Sequence, residues 1–406
     1  MDYLQQLLNN QPVEWKKLGE VCTKVCSGGT PSTSNPEYYK GNIPWLRTQD
    51  VDWKDVYDTD IKITEEAIKN SSAQWIPANC VIVAMYGATA AKACINRIPL
   101  TTNQACCNLQ VDENIAHYKY VYHWICREYE RLRALGEGSQ SNLSGKKIKD
   151  YKIPIPPLSV QSRIVEILDK FTAMEAELQA ELELRKKQYA YYREQLLNFS
   201  YTPPSEFNVV YRKLGEMAEL VRGNGLSKKD FAPEGIPAIH YGQIYTYYGN
   251  ETKETISFVT PETASKLRKV FCGNVVITNT SENLEDVGKA LLYSGESEAV
   301  TGGHATIIRC SEHLLPKYFV YYTMTYSFFD QKRKLAKGTK VIDVSATDLA
   351  RIEIPLPPLS EQQRIVEILD KFDTLTNSIS EGLPLEIKLR RQQYEYYREQ
   401  LLDFRN

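Results

Sequence analysis

PIPPLSVQSRIVEILDKF, residues 154–171, returns as PLPPLSEQQRIVEILDKF at residues 355–372, identical at fifteen of eighteen positions with an offset of 201. Downstream, QYAYYREQLLNF at 188–199 returns as QYEYYREQLLDF at 393–404, identical at ten of twelve positions with an offset of 205. The change of offset places four extra residues between the blocks of the second copy. A piece of the same repeat opens the chain: YLQQLLN at 3–9 matches YREQLLN at 192–198 in part, and Trp15-Lys-Lys-Leu-Gly-Glu20 is answered by Tyr211-Arg-Lys-Leu-Gly-Glu216. Self-similarity of this kind marks a duplicated architecture. The order is repeat end, large segment, repeat, large segment, repeat.

The repeats read as long helices. Pro154, Pro156 and Pro157 interrupt helix and ladder alike, so they punctuate a boundary. Ser159 and Ser360 stand where N-caps are expected, Ser360 with Gln363 forming a capping box. Ile164, Leu168, Phe171, Met174, Leu178 and Leu182, then Tyr189, Tyr192, Leu196 and Phe199, follow in steps suited to one helix face. A helix over 159–199 would reach about 60 Å at 1.5 Å per residue. The second copy repeats the stripe from Ile365 to Phe404, with Gly382-Leu383-Pro384 expected to kink or break it. Two apolar stripes of similar length are expected to bury each other as an antiparallel pair.

The large segments match only faintly. Ile43-Pro44 answers Ile236-Pro237, Asn79–Val83 answers Asn274–Thr278 at an offset of 195, and Ala105 lies 200 before Ala305. Near-identical connectors around divergent segments suggest two modules doing one kind of job on different targets. The fold class expected is α+β: two mixed α/β domains joined by two long antiparallel, coiled-coil-like helices, with a pseudo-two-fold internal repeat. The boundaries read are a helical fragment at 1–15, domains at 16–157 and 211–358, a central helix at 158–200, a linker at 201–210 and a C-terminal helix at 359–406.

Both domains carry polar, glycine-rich strings between short β-type runs. Asn and Gln meet adenine edges, Arg and Lys meet guanine, and glycine lets backbone N–H groups approach phosphate. The candidates in the first domain are Ser27, Thr30, Arg47, Thr48, Gln49, Tyr86, Thr89, Asn103, Gln104, Gln140, Asn142 and Lys146. Those in the second are Arg222, Asn224, His240, Tyr241, Gln243, Asn279, Thr280, His304, Lys334, Lys337, Thr339 and Lys340. Tyr191, Tyr192, Leu197, Tyr396, Tyr397 and Leu402, on the repeated helix ends, are candidates for receiving partner proteins; thickening the helical core is the alternative role for them.

Charge narrows the field. The net charge is −2, residues 16–153 carry +3 and residues 211–354 carry +1. A tight grip on DNA would therefore draw part of its positive surface from partners. No P-loop, His-Glu-x-x-His or Asn-Pro-Pro-aromatic string is present, which argues against a motor, a zincin or a self-sufficient adenine methyltransferase. Asp50, Asp52 and Lys54 look like a nuclease triplet only superficially. The nine cysteines include no Cys-x-x-Cys pair, so they are expected to be reduced and mostly buried, with no metal site, in a cytoplasmic protein. MDYLQQLLNNQ has no cationic start followed by an apolar run, so no signal peptide is expected. Cys80–Ile95, interrupted by Gly87 and Lys92, is not expected to cross a membrane.

The doubled Pro-x-Pro-Pro-Leu-Ser…Arg-Ile-Val-Glu-Ile-Leu-Asp-Lys-Phe string, with its Tyr-Tyr-Arg-Glu-Gln-Leu-Leu end, resembles the specificity subunits of type I restriction–modification systems. Weaker strings of that kind are Gly28-Gly-Thr-Pro31, Ile43-Pro-Trp45, Met85-Tyr-Gly-Ala-Thr89 and Thr301-Gly-Gly-His-Ala305. The resemblance implies two target-recognition domains, each reading half of a bipartite double-stranded DNA site, in a chain that is itself non-catalytic. It implies two modification subunits on the helices and restriction/translocase subunits in the full complex. No cofactor is then expected in this chain; S-adenosylmethionine, ATP and Mg would belong to partner subunits. It also implies that Ala176-Glu-Leu-Gln and Ala180-Glu-Leu-Glu are a tandem that sets the gap, four residues being about 6 Å of helix, roughly two base pairs. The other reading is a DNA-independent two-domain protein-binding scaffold.

Overall fold

The computed structural model describes residues 3–137, 142–199 and 209–404. Gln140 and most of the expected linker, 201–208, lie outside the described residues. The chain divides into two units, one of residues 1–177 with 387–406 and one of residues 178–386.

Each unit is entered and left through one antiparallel ribbon. Glu14–Lys17 pairs with Lys152–Ile155, Trp15 opposite Pro154. Val210–Lys213 pairs with Glu353–Leu356, Tyr211 opposite Pro355. A two-stranded ribbon tolerates proline because one side of each strand needs no ladder bond. Inside, the two units share a core topology, the second unit adding one strand to its second sheet and a ribbon of Thr280–Ser281 with Ile342–Asp343. The five-stranded sheet of the first runs Cys22–Ser27, Cys106–Val111, Val81–Ala84, Ala93–Asn96, Asp55–Val56; that of the second runs Ala218–Arg222, Ala305–Cys310, Val275–Thr278, Ala290–Tyr293, Glu251–Thr252. A second sheet in each is built around a parallel pair: Ile43–Leu46 beside Leu100–Thr102, and Ile236–Ile239 beside Ala299–Thr301.

The sheets correct the faint sequence match by one residue. Cys106 pairs with Ala84, and Ala305 with Thr278. Ala84, not Val83, is thus the counterpart of Thr278, and Cys106, not Ala105, that of Ala305. Side chains alternate along a strand, so a one-residue slip would turn every one to the wrong face. Burial agrees with the structural register: Val81 and Val83 join one core and Ile82 another, as Val275 and Ile277 join one and Val276 another.

The central helix is Leu158–Leu197. It starts earlier than the serine caps predict. The Pro157 carbonyl accepts from the N–H groups of Val160 and Gln161, and Pro358 is the N-cap of the helix Leu359–Asn377, without a side-chain cap. Ser159 and Ser360 therefore lie in the first turn, because the extended, donor-free proline already ends the strand and opens the helix. The repeated glutamine does the fastening. Gln161 accepts from His117 N–H at 2.9 Å and donates to the Ile115 and Pro156 carbonyls. Gln362 accepts from Leu315 N–H at 2.9 Å and donates to the His313 and Pro357 carbonyls. Both side chains are buried.

In each unit the start of one long helix meets the end of another, chain directions opposed. In the first, Ile164, Val165 and Leu168 share a core with Leu4, Leu8, Leu401 and Leu402, and Phe171 stacks on Tyr397. In the second, Ile365, Val366 and Leu369 share a core with Tyr189 and Leu197, and Phe372 stacks on Tyr192. The opening helix Tyr3–Leu8 thus packs where a repeat end is needed. The C-terminal helix is broken: Leu359–Asn377 stops, and Gly382–Leu401 begins after Ser378–Glu381. The break falls just ahead of the Gly-Leu-Pro string. Gly382 takes φ +77°, and a Cβ there would lie 2.5 Å from the Thr374 carbonyl oxygen, so the turn requires glycine. Leu383 is buried and Pro384 is accommodated in the first turn of the new helix.

All nine cysteines are free; five are buried and Cys272 is exposed. Among the described residues no helix is long and apolar enough to cross a membrane.

Candidate nucleic-acid interface

The parallel strand pair of each unit ends in two loops, and these loops gather many of the polar candidates. In the first unit they are Arg47–Asp50 and Asn103–Gln104. Asn103 N–H donates to the Leu46 carbonyl at 2.9 Å, its amide donates to Thr48 Oγ1 at 3.1 Å, and Thr89 Oγ1 donates to the Thr48 carbonyl at 2.8 Å. Thr30 donates to Gln104 from the neighbouring Gly28-Gly29 turn. That turn is forced: a Cβ on Gly28 would lie 1.9 Å from the Thr102 oxygen. Arg47 is held by Asp50, Nε and Nη2 donating to its two oxygens at 3.1 and 3.0 Å, while the same carboxylate accepts from Arg47 N–H at 3.1 Å.

In the second unit the corresponding segments are His240–Gln243, the N-cap and first turn of the helix Tyr241–Thr246, and the loop Gly302–His304. Tyr241 lies against His304, ring centroids 4.8 Å apart, and His304 Nδ1 is 2.8 Å from Thr280 Oγ1. Arg222 Nε donates to the Gly303 carbonyl at 3.0 Å, and its Nη2 lies 3.4 Å from Asp343. Gly223 repeats the forced approach, a Cβ there meeting the Gly302 oxygen at 2.1 Å. His240 Nδ1 accepts from Gly242 N–H at 3.2 Å, which leaves the proton on Nε2. Burial first, then Lys228 and His304, hold its pKa below the ordinary value. The two clusters are built alike yet differ chemically: an arginine–carboxylate–amide set in one, a histidine–tyrosine set in the other.

Other candidates lie on further loops. Lys337 pairs with Asp348 at 3.0 Å and opens the turn carrying Thr339 and Lys340, while Lys334 pairs with Asp330 at 2.6 Å. The turn is closed by Lys337 and Asp343, whose first-unit counterpart is the bridge between Glu137 and Asn142. Lys146, Ser27 and Tyr86 are exposed, and Asn224 donates to the Lys266 carbonyl at 2.6 Å. The Lys334–Asp330 pair is exposed and individually weak, whereas Asp348 is buried and is also bonded to Ser345.

Several expectations are corrected. Asn279 is fully buried, donating to the Val344 carbonyl at 2.6 Å and accepting from Thr306 at 2.8 Å; its polar atoms are spent inside the domain. Thr48 and Thr280 are buried links within their clusters rather than outward groups. Leu197 and Leu402 are 1% and 0% exposed and belong to the cores, the alternative role read for them, because a helix end flanked by both a partner helix and a domain needs apolar residues on two faces. Asp50 and Asp343, which fix the arginines, were not among the candidates; the Arg47-x-x-Asp50 spacing was the available signal. Lys332 is buried too, donating to the Val287 carbonyl at 2.6 Å, and burial lowers its pKa to about 8.

The tyrosines behave differently. Tyr191 and Tyr396 are 60% and 61% exposed. Each crosses its neighbour, Tyr192 or Tyr397, edge to face at 5.5 Å. Leu184 and Leu389 are exposed, each seven residues (about two turns) earlier on its repeat. The same surface is thus presented twice. Among the described residues no cluster of three or more His, Cys, Asp or Glu side chains could hold a metal.

A doubled α/β module with matched loop clusters, differing in chemistry, and duplicated helical surfaces defines a two-module recognition protein. Comparison with known proteins identifies it further. The type I restriction modification DNA specificity domain matches twice, over residues 10–184 and 206–389, and the chain belongs to that family as a specificity subunit. It is similar to the EcoR124I/EcoR124II specificity subunit of Escherichia coli, 38% identical over 304 residues, 72% of each chain. It is also similar to the EcoprrI specificity subunit of the same organism, 27% identical over 411 residues, 94% of this chain and 92% of that one. Among solved structures, a chain from work on assembly and conformational transition of the type I restriction–modification system shares the fold over 97% of this chain and 98% of that chain, with a TM-score of 0.64 and 16% identity. The S subunit from M. genitalium does so over 98% of each chain, with a TM-score of 0.55 and 15% identity.

Proposed function

We propose that this specificity subunit reads a bipartite DNA site, one half with the domain at 16–157 and the other with the domain at 211–358. The gap is set by the central helix and its Ala176–Glu183 tandem. The observation that carries this is the pairing of matched strand-end clusters of unlike chemistry with duplicated, like helical surfaces. Unlike readers on like frames suit two different half-sites, and two equal ridges at Tyr191 and Tyr396 suit two copies of one modification subunit. A DNA-independent scaffold gives no reason for that division.

The chain is non-catalytic in this reading. S-adenosylmethionine chemistry on adenine belongs to the modification subunits, and ATP- and Mg-dependent translocation to restriction subunits, in a cytoplasmic complex. Partners supply much of the positive surface that the two domains lack. The test is selection from randomised duplexes by the co-purified complex. A two-part motif of fixed gap is expected; one contiguous motif, or none, would refute it.

A further inference from the structure

We propose that Arg47 is a guanine-reading side chain of the first unit and that the second unit has no counterpart to it. This rests on the DNA reading above and assigns the chemistry of one of its positions.

A guanine edge offers O6 and N7 side by side, and a guanidinium meets them with two parallel N–H groups. Three features prepare Arg47 for this. It stands directly after a strand whose parallel neighbour brings Asn103 and Gln104 alongside. Asp50 takes one edge of the guanidinium through Nε and Nη2 and also fixes the backbone N–H, so little side-chain freedom is left to lose on binding. The remaining edge faces Gln49, whose carbonyl oxygen, with the amide turned as its neighbours require, accepts from both Nη1 and Nη2 at 3.1 Å. Gln49 is exposed. It holds the two-donor edge with an acceptor of the kind a base would present, and it can swing away.

The equivalent post in the second unit shows what is absent there. His240 follows the equivalent strand, is buried, and spends Nδ1 on Gly242. Gln243, in the place of Asp50, accepts from His240 N–H at 3.4 Å and donates to Ser257 at 2.6 Å. Arg222, on the strand Ala218–Arg222, is not at this post, and it spends Nε on the Gly303 carbonyl and Nη2 on Asp343 at 3.4 Å. The frame is kept while the fork is missing.

The test compares motifs selected by complexes carrying wild-type, Arg47→Ala and Arg47→Lys chains. For Arg47→Ala, one guanine in one half-site should lose preference by on the order of ten- to a hundred-fold, the other half-site staying intact as a control for folding. Arg47→Lys should lose most of that preference, since an ammonium has no fork. Replacing that guanine by 7-deazaguanine should weaken the wild-type complex and leave Arg47→Ala unaffected. A normal bipartite motif that Arg47→Ala leaves unchanged would overturn the assignment alone. A wild-type complex that enriches no bipartite motif would overturn the DNA reading with it.

Discussion

Phe171 lies stacked on Tyr397, ring centroids 5.1 Å apart and planes 19° from parallel, although 226 residues separate them in the chain. The same contact recurs between Phe372 and Tyr192 at 5.5 Å and 25°. The first residue of each pair closes the Ile-Leu-Asp-Lys-Phe block and the second belongs to the Tyr-Tyr-Arg-Glu block. The repeat is therefore two halves of one joint, made twice. Tyr192 and Tyr397 support the joint; the adjoining Tyr191 and Tyr396 do not bury themselves in it. Replacing either exposed tyrosine with alanine should change stability by no more than about 0.5 kcal/mol. Native mass spectrometry should then show complexes short of one modification subunit for a single replacement and of both for the pair. Full occupancy in the double variant would contradict the docking assignment.

Gln161 and Gln362, both buried, each tie the start of a long helix to its domain with three hydrogen bonds. Alanine at either would leave those backbone groups unpaired, costing about 2–4 kcal/mol. Urea unfolding followed by hydrogen exchange should locate the Gln161→Ala loss in the first unit and the Gln362→Ala loss in the second.

His123 and Tyr321 occupy equivalent positions, each facing the aspartate of its repeat. His123 Nε2 is 3.1 Å from Asp169, its Nδ1 is 3.1 Å from Tyr394, and Lys119 also meets Asp169; Tyr321 donates to Asp370. Burial lowers the His123 pKa against the pull of Asp169. With a folded value below the unfolded one, acid favours the unfolded chain, which takes the proton first. Its stabilising contribution is present above about pH 6.5 and is lost as pH falls through the folded pKa. Denaturant midpoints of the first unit should decline over that window, and His123→Tyr, which installs the second unit's residue, should flatten the decline.

Much of this was legible in advance, and the limits are physical. Prolines, helix periodicity and repetition are strong local signals, and they located the connectors. The strand correspondence slipped by one residue because runs such as Val81–Ala84 and Val275–Thr278 are apolar on both faces and do not declare their register. Composition pointed to the loops at the strand ends, where Arg47, Gln104, Tyr241 and His304 gather. It could not separate an outward asparagine from Asn279, whose partners Val344 and Thr306 come from distant segments. Nor could helix periodicity decide between the partner-facing and core roles read for Leu197 and Leu402, which are buried.

The central claim is that one chain holds two separate readers at a set distance, and the most direct measurement is the motif methylated in a host when the tandem is altered. Deleting Ala180–Glu183 should shorten the gap by roughly two base pairs, about 6 Å of helix, with both half-site sequences unchanged. A gap that stays the same, or half-sites that change with it, would contradict the account.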